Sequence, residues 1–234
     1  MSLSGEIRAA LEERIEPDFK ERVESYFNEE INILGVRTPE VRKVSRRFYS
    51  RISELSKDEI FDRCEELLRG GIGEEITIAL DWAWRQKRRY EPEDIELFER
   101  WLGEFVSNWG HLDDLCCHAI GYLFHEYPEL AKRTDDWARS GNRWFRRAGA
   151  VSLIYPARRD VLVDRGFRVA DLLLEDGDDL VRKGYGWLLK EIGKRHPGRV
   201  FEFLADRVGK MPRVAFRYAL EKLPADMRER AMSL

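Results

Sequence analysis

The 234-residue sequence is poor in cysteine, with only Cys64, Cys116 and Cys117. An odd number that includes an adjacent pair is a poor basis for disulfides, so we expect the chain to reside in a reducing cytoplasm. Long apolar runs are also missing. No stretch of about 18 apolar residues occurs, and no basic-then-apolar leader opens the chain. We therefore expect neither a membrane span nor a signal peptide.

A strong net charge is missing too, because 41 Lys and Arg residues nearly balance 44 Asp and Glu residues to give −3. This balance argues against a protein that simply coats nucleic acid. The charges are nevertheless segregated along the chain. Basic residues cluster in 42–51, 85–89, 143–147, 158–159 and 182–195, and acidic residues in 91–99 and 175–179. Both a one-sided binding groove and ordinary solvated helix faces would produce such segregation.

The alternating pattern of β-strands is absent, whereas segments of about 10–18 residues have the apolar spacing of helices. Short Gly, Pro or Asp/Asn breaks separate these segments. The pattern predicts an all-α fold of roughly thirteen or fourteen short helices. We expect antiparallel helix pairs to stack into a superhelix of the HEAT-like or armadillo type, with a concave face. No linker divides the chain, so we expect a single domain over residues 1–234.

The helix boundaries follow from these breaks. Thr38 is expected to cap a helix whose first residue is Pro39. The other helices are expected near residues 4–16, 18–28, 57–69, 74–88, 92–106, 111–126, 128–139, 143–155, 166–174, 180–194, 197–208 and 214–222. The tail after Ala225 carries no clear pattern.

One stretch combines a large aromatic residue and a carboxylate at helical spacing. Trp109 and Asp113 are four residues apart and would project about 40° apart on a helix. Such a pair is costly in a core but well suited to holding a cation. Alternatively, Asp113 and Asp114 lie in the first turns of a helix, where carboxylates stabilise its dipole. Trp109 would then anchor the preceding helix.

A second tryptophan is also poorly explained by burial. Trp187 lies off the apolar stripe of helix 180–194, on the face that carries Lys183, Lys190 and Lys194. An exposed aromatic residue in a basic setting is a candidate for a binding site. Trp187 could equally pack on a neighbouring helix while the lysine stems cover it.

Three arginines, Arg143, Arg146 and Arg147, lie beside the apolar stripe of helix 143–155. A guanidinium in such a position can bind a phosphate through two hydrogen bonds. A solvated arginine face would give the same pattern.

The histidines do not predict a metal centre. His111, His118 and His125 recur every seven residues, which is too far for two of them to bind one ion. Only Asp114 and His118 are spaced so that both could bind one ion. We therefore expect no metal site, and we expect no cofactor. Gly-rich phosphate loops, nucleophile elbows and CxxC motifs are absent as well, so generic motifs do not identify an enzyme.

Five segments, in order, resemble the AlkD family of DNA alkylation repair glycosylases, which are built of HEAT-like repeats. The resemblance covers roughly residues 20–223. Its segments are Tyr26 with Ile33–Glu40, Trp109–Asp113, Tyr127–Leu130, Asn142–Ala148 and Arg182–Glu191. The chain differs from the family pattern in Gly110-His111 and in lacking a basic net charge.

In that family, two tryptophans and an aspartate form the excision site, an arginine holds the DNA backbone, and a tyrosine lines the cleft. The resemblance places these roles on Trp109, Trp187, Asp113, Arg147 and Tyr26. It implies a monomeric DNA glycosylase of the cytoplasm and nucleoid that removes N3- or N7-alkylated purines from double-stranded DNA without flipping the base. Further DNA contacts are expected from Arg143, Arg146, Lys183, Lys190 and Lys194.

A function of a different class also fits the sequence. The chain could be a noncatalytic helical-repeat module that binds damaged or branched DNA, or a scaffold that binds another protein. The presence of both tryptophans together with Asp113 favours catalysis.

Overall fold

The computed structural model describes residues 2–27 and 29–233, and every regular element in these residues is helical. The prediction of an all-α fold is therefore confirmed. The α-helices are α1 (Leu3–Glu12), α2 (Pro17–Glu24), α3 (Thr38–Tyr49), α4 (Lys57–Arg69), α5 (Gly73–Arg85), α6 (Asp94–Glu104), α7 (Trp109–Leu115), α8 (Gly121–Glu126), α9 (Thr134–Ala138), α10 (Arg143–Val151), α11 (Ile154–Ala157), α12 (Val163–Leu172), α13 (Asp179–Gly193), α14 (Pro197–Ala205), α15 (Arg213–Leu220) and α16 (Ala225–Met232).

Two compact units make up the chain. The first runs to Tyr90 and also includes Glu104–Asp114, and the second comprises Glu91–Gly103 and the chain from Leu115 onward. Within the units, helices that follow each other pack as pairs, α4 with α5 and α9 with α10. This pairing agrees with the predicted repeat architecture. The single domain over 1–234 and its concave face stay predictions.

The core of the first unit is the helix pair α4–α5. Ser56 begins α4 with a capping box, because its hydroxyl accepts a hydrogen bond from the Glu59 N–H while the Glu59 carboxylate accepts one from the Ser56 N–H. Gly71, at φ 67°, turns the chain between the two helices. Trp82 of α5 is fully buried. These features hold α5 in place, and α5 in turn supports α3 and the loop that precedes α3.

Glu74, at the start of α5, holds the loop before α3 in place. Its carboxylate accepts hydrogen bonds from the backbone N–H groups of Leu34, Gly35 and Val36 at 2.8–3.0 Å. The helix that follows begins at Thr38 itself, after Arg37, and no side chain caps it. The prediction that Thr38 caps this helix is therefore wrong, because Thr38 already has helical backbone geometry.

The second unit is organised around α13, its longest helix, which packs on α10, α12, α14 and α15. Two glycines allow these close approaches. A Cβ atom at Gly184 would lie 3.3 Å from the Arg147 Cγ atom on α10, and one at Gly186 would lie 2.8 Å from the Tyr218 Cβ atom on α15. Tyr185 between them is fully buried and donates a hydrogen bond to the Leu174 carbonyl. The backbone of α13 is thereby fixed on two sides.

Several predicted boundaries differ from the structure. The predicted second helix reached Asn28, which lies outside the described residues, and α2 ends at Glu24. The predicted continuous helix 111–126 is interrupted by a π-helix at Cys116–Ile120. The predicted helix 128–139 is a 3₁₀ segment, Pro128–Arg133, followed by α9. Helix α16 lies in the tail where no pattern was recognised.

Candidate functional site

The first group of candidate residues lies on α7, which begins at Trp109. Asn108 starts this helix, because its buried side-chain oxygen accepts the backbone N–H of His111 at 3.0 Å and its carbonyl accepts that of Leu112 at 3.2 Å. Short polar residues are favoured at this position for that reason. The start of the helix sets the direction in which Trp109 and Asp113 project.

Trp109 is half-buried and is held by aromatic residues of the chain that follows α2. The Phe27 ring is stacked on it, with centroids 5.1 Å apart and ring planes inclined by 18°. The Tyr26 ring contacts the same indole edge-on, with ring centroids 6.0 Å apart, and Tyr26 is 71% exposed. Tyr26, the tyrosine assigned from the family resemblance, thus lies beside Trp109, but Phe27 makes the stacking contact. Phe27 was not among the site residues predicted from the sequence, although its position next to Tyr26 forms an aromatic pair that is visible there.

Asp113 follows Trp109 by one helical turn and is half-buried. At this spacing the two side chains occupy the same face of α7, as the sequence predicted. A carboxylate and an indole on the same helix face are a combination that can attract a cation.

His111 lies on the same short helix. Burial lowers the pKa of the imidazole, which favours its neutral form, although the nearby Asp114 acts in the opposite direction. Its Nδ1 atom lies 2.9 Å from the side-chain amide of Asn108. Among residues 2–27 and 29–233, no group of three His, Cys, Asp or Glu side chains is arranged to hold a metal ion.

The second group of candidate residues lies on α13. Trp187 is half-buried, and its indole N–H donates a hydrogen bond to Oε1 of Glu191 at 3.3 Å. Glu191 follows Trp187 by one turn and is only 3% exposed. Its Oε2 atom accepts hydrogen bonds from Arg158 at 2.8 Å and from Lys194 at 2.6 Å. Trp187 is therefore held by a buried carboxylate.

The ionisation of Glu191 follows from these contacts. Burial alone would raise the pKa of its carboxyl group, but the hydrogen bonds and charges of Arg158 and Lys194 outweigh burial and lower the pKa to about 2. Glu191 raises the pKa of Arg158 in turn. The Glu191 carboxyl group is thus charged at neutral pH. Neither Glu191 nor Arg158 was a predicted site residue, although the four-residue spacing of Glu191 from Trp187 was visible in the sequence.

The predicted DNA-binding arginines of α10 bind the acidic segment before α13. Arg143 lies 3.0 Å from the Asp178 carboxylate, and Arg146 lies 2.7 Å from that of Asp176. Arg147 is 5% exposed and donates a hydrogen bond to the carbonyl of Leu180 on α13. The basic and acidic clusters of the sequence thus neutralise each other here. The role of these arginines as DNA contacts stays a prediction.

The predicted lysines of α13 differ from one another. Lys190 pairs with Glu221 at 2.7 Å, and Lys194 pairs with Glu191. Lys183, one turn before Trp187, makes no ion pair with any residue that the structure describes. Of these three cations, Lys183 therefore has the most charge to offer an external phosphate.

The family model described as "DNA alkylation repair enzyme" matches residues 7–223, which is most of the chain. The chain belongs to the DNA alkylation repair enzyme family. Membership in this family implies an action on DNA. Among curated proteins, no sequence match was significant.

Two solved structures resemble this member of the DNA alkylation repair family. One, named as a predicted DNA alkylation repair enzyme from Enterococcus faecalis, superposes with a TM-score of 0.81 at 16% identity, over 91% of this chain and 98% of that one. The other, smu.31 from Streptococcus mutans UA159, has a TM-score of 0.62 at 18% identity, over 95% of this chain and 100% of that one. At such low identity these similarities establish the fold.

The fold of this family member contains no described helix with the length and hydrophobicity needed to cross a bilayer. Its candidate residues occur in two groups. Trp109 and Asp113 lie together in the first unit with Tyr26, and Trp187 and Arg147 lie in the second unit.

Proposed function

We propose that this protein is a DNA glycosylase that excises cationic N3- or N7-alkylated purines from duplex DNA. Membership in the DNA alkylation repair family supports an action on damaged DNA. The observation that carries the proposal is the arrangement on α7, where half-buried Asp113 shares a helix face with Trp109 and Phe27 backs the indole. This surface attracts cations, and both the lesion and the sugar in its transition state are cationic.

The chemistry requires little from the protein. Alkylation at N3 or N7 places a positive charge on the purine, so the base leaves as a neutral molecule when the C1′–N bond breaks and takes the bonding electron pair. Positive charge then develops on the deoxyribose. Asp113 stabilises this oxocarbenium-like sugar electrostatically and orients a water molecule, which attacks C1′ and loses a proton to give an abasic site. A strong general acid is not needed.

Trp109 contacts the sugar and the alkylated base through cation–π attraction, which is worth roughly 0.5–2 kcal/mol for a ring. The family resemblance implies a contact of the same kind between Trp187 and the cationic lesion. It also implies that the base is not flipped into a pocket, unlike the base in most glycosylases. Tyr26 and Phe27 fix the orientation of the first indole.

The DNA backbone is held by cations around these residues. Lys183 supplies an unpaired charge one turn from Trp187, whereas Arg147 is 5% exposed and donates a hydrogen bond to the Leu180 carbonyl, so a phosphate contact by Arg147 requires its side chain to move. The pairing of Arg143 and Arg146 with aspartates leaves less positive charge on α10 than the sequence suggests. We therefore expect moderate DNA affinity with a shallow dependence on salt concentration.

A base-release assay on methylated duplex DNA tests the proposal. Asp113→Asn should lower the release of N7-methylguanine by at least ~10²-fold while the fold is kept, as for the loss of an electrostatic stabiliser. Asp114→Asn is the matched control, since it removes the neighbouring carboxylate of the same helix, and its rate should stay within a few-fold of wild type.

Other outcomes would reject the proposal. If the wild-type protein binds methylated DNA and releases no purine, the protein is a noncatalytic DNA-binding module. If Asp113→Asn and wild type release purine at equal rates, the excision chemistry does not depend on Asp113.

A further inference from the structure

The contacts of Glu191 on α13 are divided between its two carboxylate oxygens. Oε2 accepts hydrogen bonds from Arg158 at 2.8 Å and Lys194 at 2.6 Å, whereas Oε1 accepts the indole N–H of Trp187 at 3.3 Å. The side chain is 3% exposed, although its two cationic partners are each 45% exposed. The carboxylate is therefore buried on the side of the indole and balanced by cations on the side of the solvent.

Stability alone gives a weak reason for a carboxylate at this position. A buried ion pair can often be replaced by a well-packed apolar residue with little loss of stability, because desolvation offsets the attraction between the charges. Glu191 lies beside Leu188 and Ile192, both fully buried, where a leucine would be the simpler choice. A leucine would lose the ion pairs with Arg158 and Lys194, which water screens because both cations are 45% exposed, and it would also lose the hydrogen bond to Trp187.

The backbone beneath Trp187 is already rigid, so the remaining freedom of the indole lies in its side-chain torsions. A Cβ atom at Gly186 would lie 2.9 Å from the carbonyl oxygen of Ala215, which shows how closely α13 and α15 approach. Residues four apart on a helix meet on one face, so Glu191 is placed to restrain the torsions of Trp187. Arg158 adds a second restraint, with its guanidinium carbon 6.0 Å from the indole centroid.

We propose that Glu191 is a positioning residue, because its Oε1 atom holds the indole of Trp187 in the orientation that the reaction uses. The inference rests on the proposed glycosylase function, in which Trp187 contacts the cationic lesion. The carboxylate has a second effect at this place. Arg158 and Lys194 would repel a cationic purine that approaches the indole, and the negative charge of Glu191 offsets part of that repulsion.

The kinetic test is a double-mutant cycle between Glu191→Leu and Trp187→Phe, read as kcat and KM for release of N7-methylguanine. Glu191→Leu alone should lower kcat about 10-fold with little change in KM, because a misoriented contact group acts on the transition state. In the Trp187→Phe background, the same change should lower kcat less than about 2-fold. Glu202→Leu, which removes an exposed carboxylate on α14, is the control.

A conservative variant separates the indole contact from the cation contacts. Glu191→Gln keeps a side-chain oxygen for the indole N–H but loses the charge that holds Arg158 and Lys194. It should retain kcat within about 3-fold of wild type if orientation of Trp187 is the role. Equal losses in Glu191→Gln and Glu191→Leu would overturn the inference and assign the effect to the cations.

The spectroscopic test does not depend on activity. The indole ¹H–¹⁵N resonance of Trp187, identified by its loss in Trp187→Phe, should move upfield in Glu191→Leu and move less in Glu191→Gln, because a neutral amide oxygen still accepts the hydrogen bond but does so more weakly than a carboxylate. An unchanged resonance in Glu191→Leu, or additive losses of kcat in the cycle, would overturn the inference. If Glu191→Leu did not fold, a resonance in folded Glu191→Gln at the position of an indole without a hydrogen bond would overturn it equally. A wild-type protein that releases no purine would reject the proposed function, whereas the resonance would still report the Glu191–Trp187 contact.

Discussion

The buried carboxylate of Glu191 predicts a specific dependence of stability on pH. Its pKa is lowered from 4.5 to about 2 in the folded protein by Arg158 and Lys194. A group whose pKa falls on folding contributes stability above its unfolded pKa and loses that contribution as the pH falls toward its folded pKa. Replacing Glu191 with Gln should therefore cost free energy of unfolding at pH 7, and progressively less below about pH 5.

The magnitude follows from the size of the shift. At 1.36 kcal/mol per pKa unit, the contribution of Glu191 is at most about 3 kcal/mol at pH 7 and falls to roughly half of that near pH 3. Because Arg158 and Lys194 are each 45% exposed, water screens both ion pairs, so the measured value should lie below this limit.

Urea unfolding followed by circular dichroism at pH 7, 5 and 3 measures the effect. The difference in free energy of unfolding between wild type and Glu191→Gln should shrink as the pH falls. Glu202→Gln, which replaces an exposed carboxylate of the same unit, should show a small difference at all three values. A difference for Glu191→Gln that stays constant or grows in acid would show that folding does not stabilise the charged form of Glu191.

Two further predictions concern DNA and the first indole. Lys183→Ala should reduce the slope of log K against log salt concentration for DNA binding by about 0.9, whereas Lys190→Ala should change it less, because Glu221 already neutralises Lys190. Phe27→Ala should lower kcat/KM for base release by about 2–12-fold, since an aromatic pair such as that with Trp109 is worth about 0.5–1.5 kcal/mol.

Matched controls keep these two predictions specific. If Lys183→Ala and Lys190→Ala changed the salt dependence of DNA binding equally, the ion pair with Glu221 would not weaken the contribution of Lys190. For Phe27, the control is Phe19→Ala, which truncates another aromatic residue of the same region whose ring contacts Arg37. A loss of activity that is as large in Phe19→Ala, or that disappears once rates are corrected for the folded fraction, would remove Phe27 from the site.

Local sequence patterns predicted much of the helical framework. The helix at Lys57–Arg69 matches its prediction at both ends, because Ser56 and Glu59 form a capping box and Gly70 follows. The shared face of Trp109 and Asp113 also follows from helical spacing alone. Such features depend on residues within one or two turns of each other, which is the range over which sequence patterns act.

The features that were missed depend on contacts between distant residues. Phe27 stacks on Trp109, which is far along the chain, and no periodicity connects a loop residue with a helix. The arginines of α10 pair with aspartates about 30 residues later, so charge clusters that looked like a binding surface partly neutralise each other. The π-helix at Cys116–Ile120 accompanies the close approach of Gly121 to the Ser152 carbonyl, which only the folded chain reveals.

The proposed glycosylase excises bases that already carry a positive charge, with Asp113 supplying electrostatic stabilisation and no strong general acid. Single-turnover release of N7-methylguanine and of hypoxanthine, a neutral damaged purine, from the same duplex sequence distinguishes charged from neutral lesions. We expect release of N7-methylguanine and no measurable release of hypoxanthine. Comparable rates for both bases would show that excision does not depend on the charge of the base, and no release of N7-methylguanine would reject the proposed function.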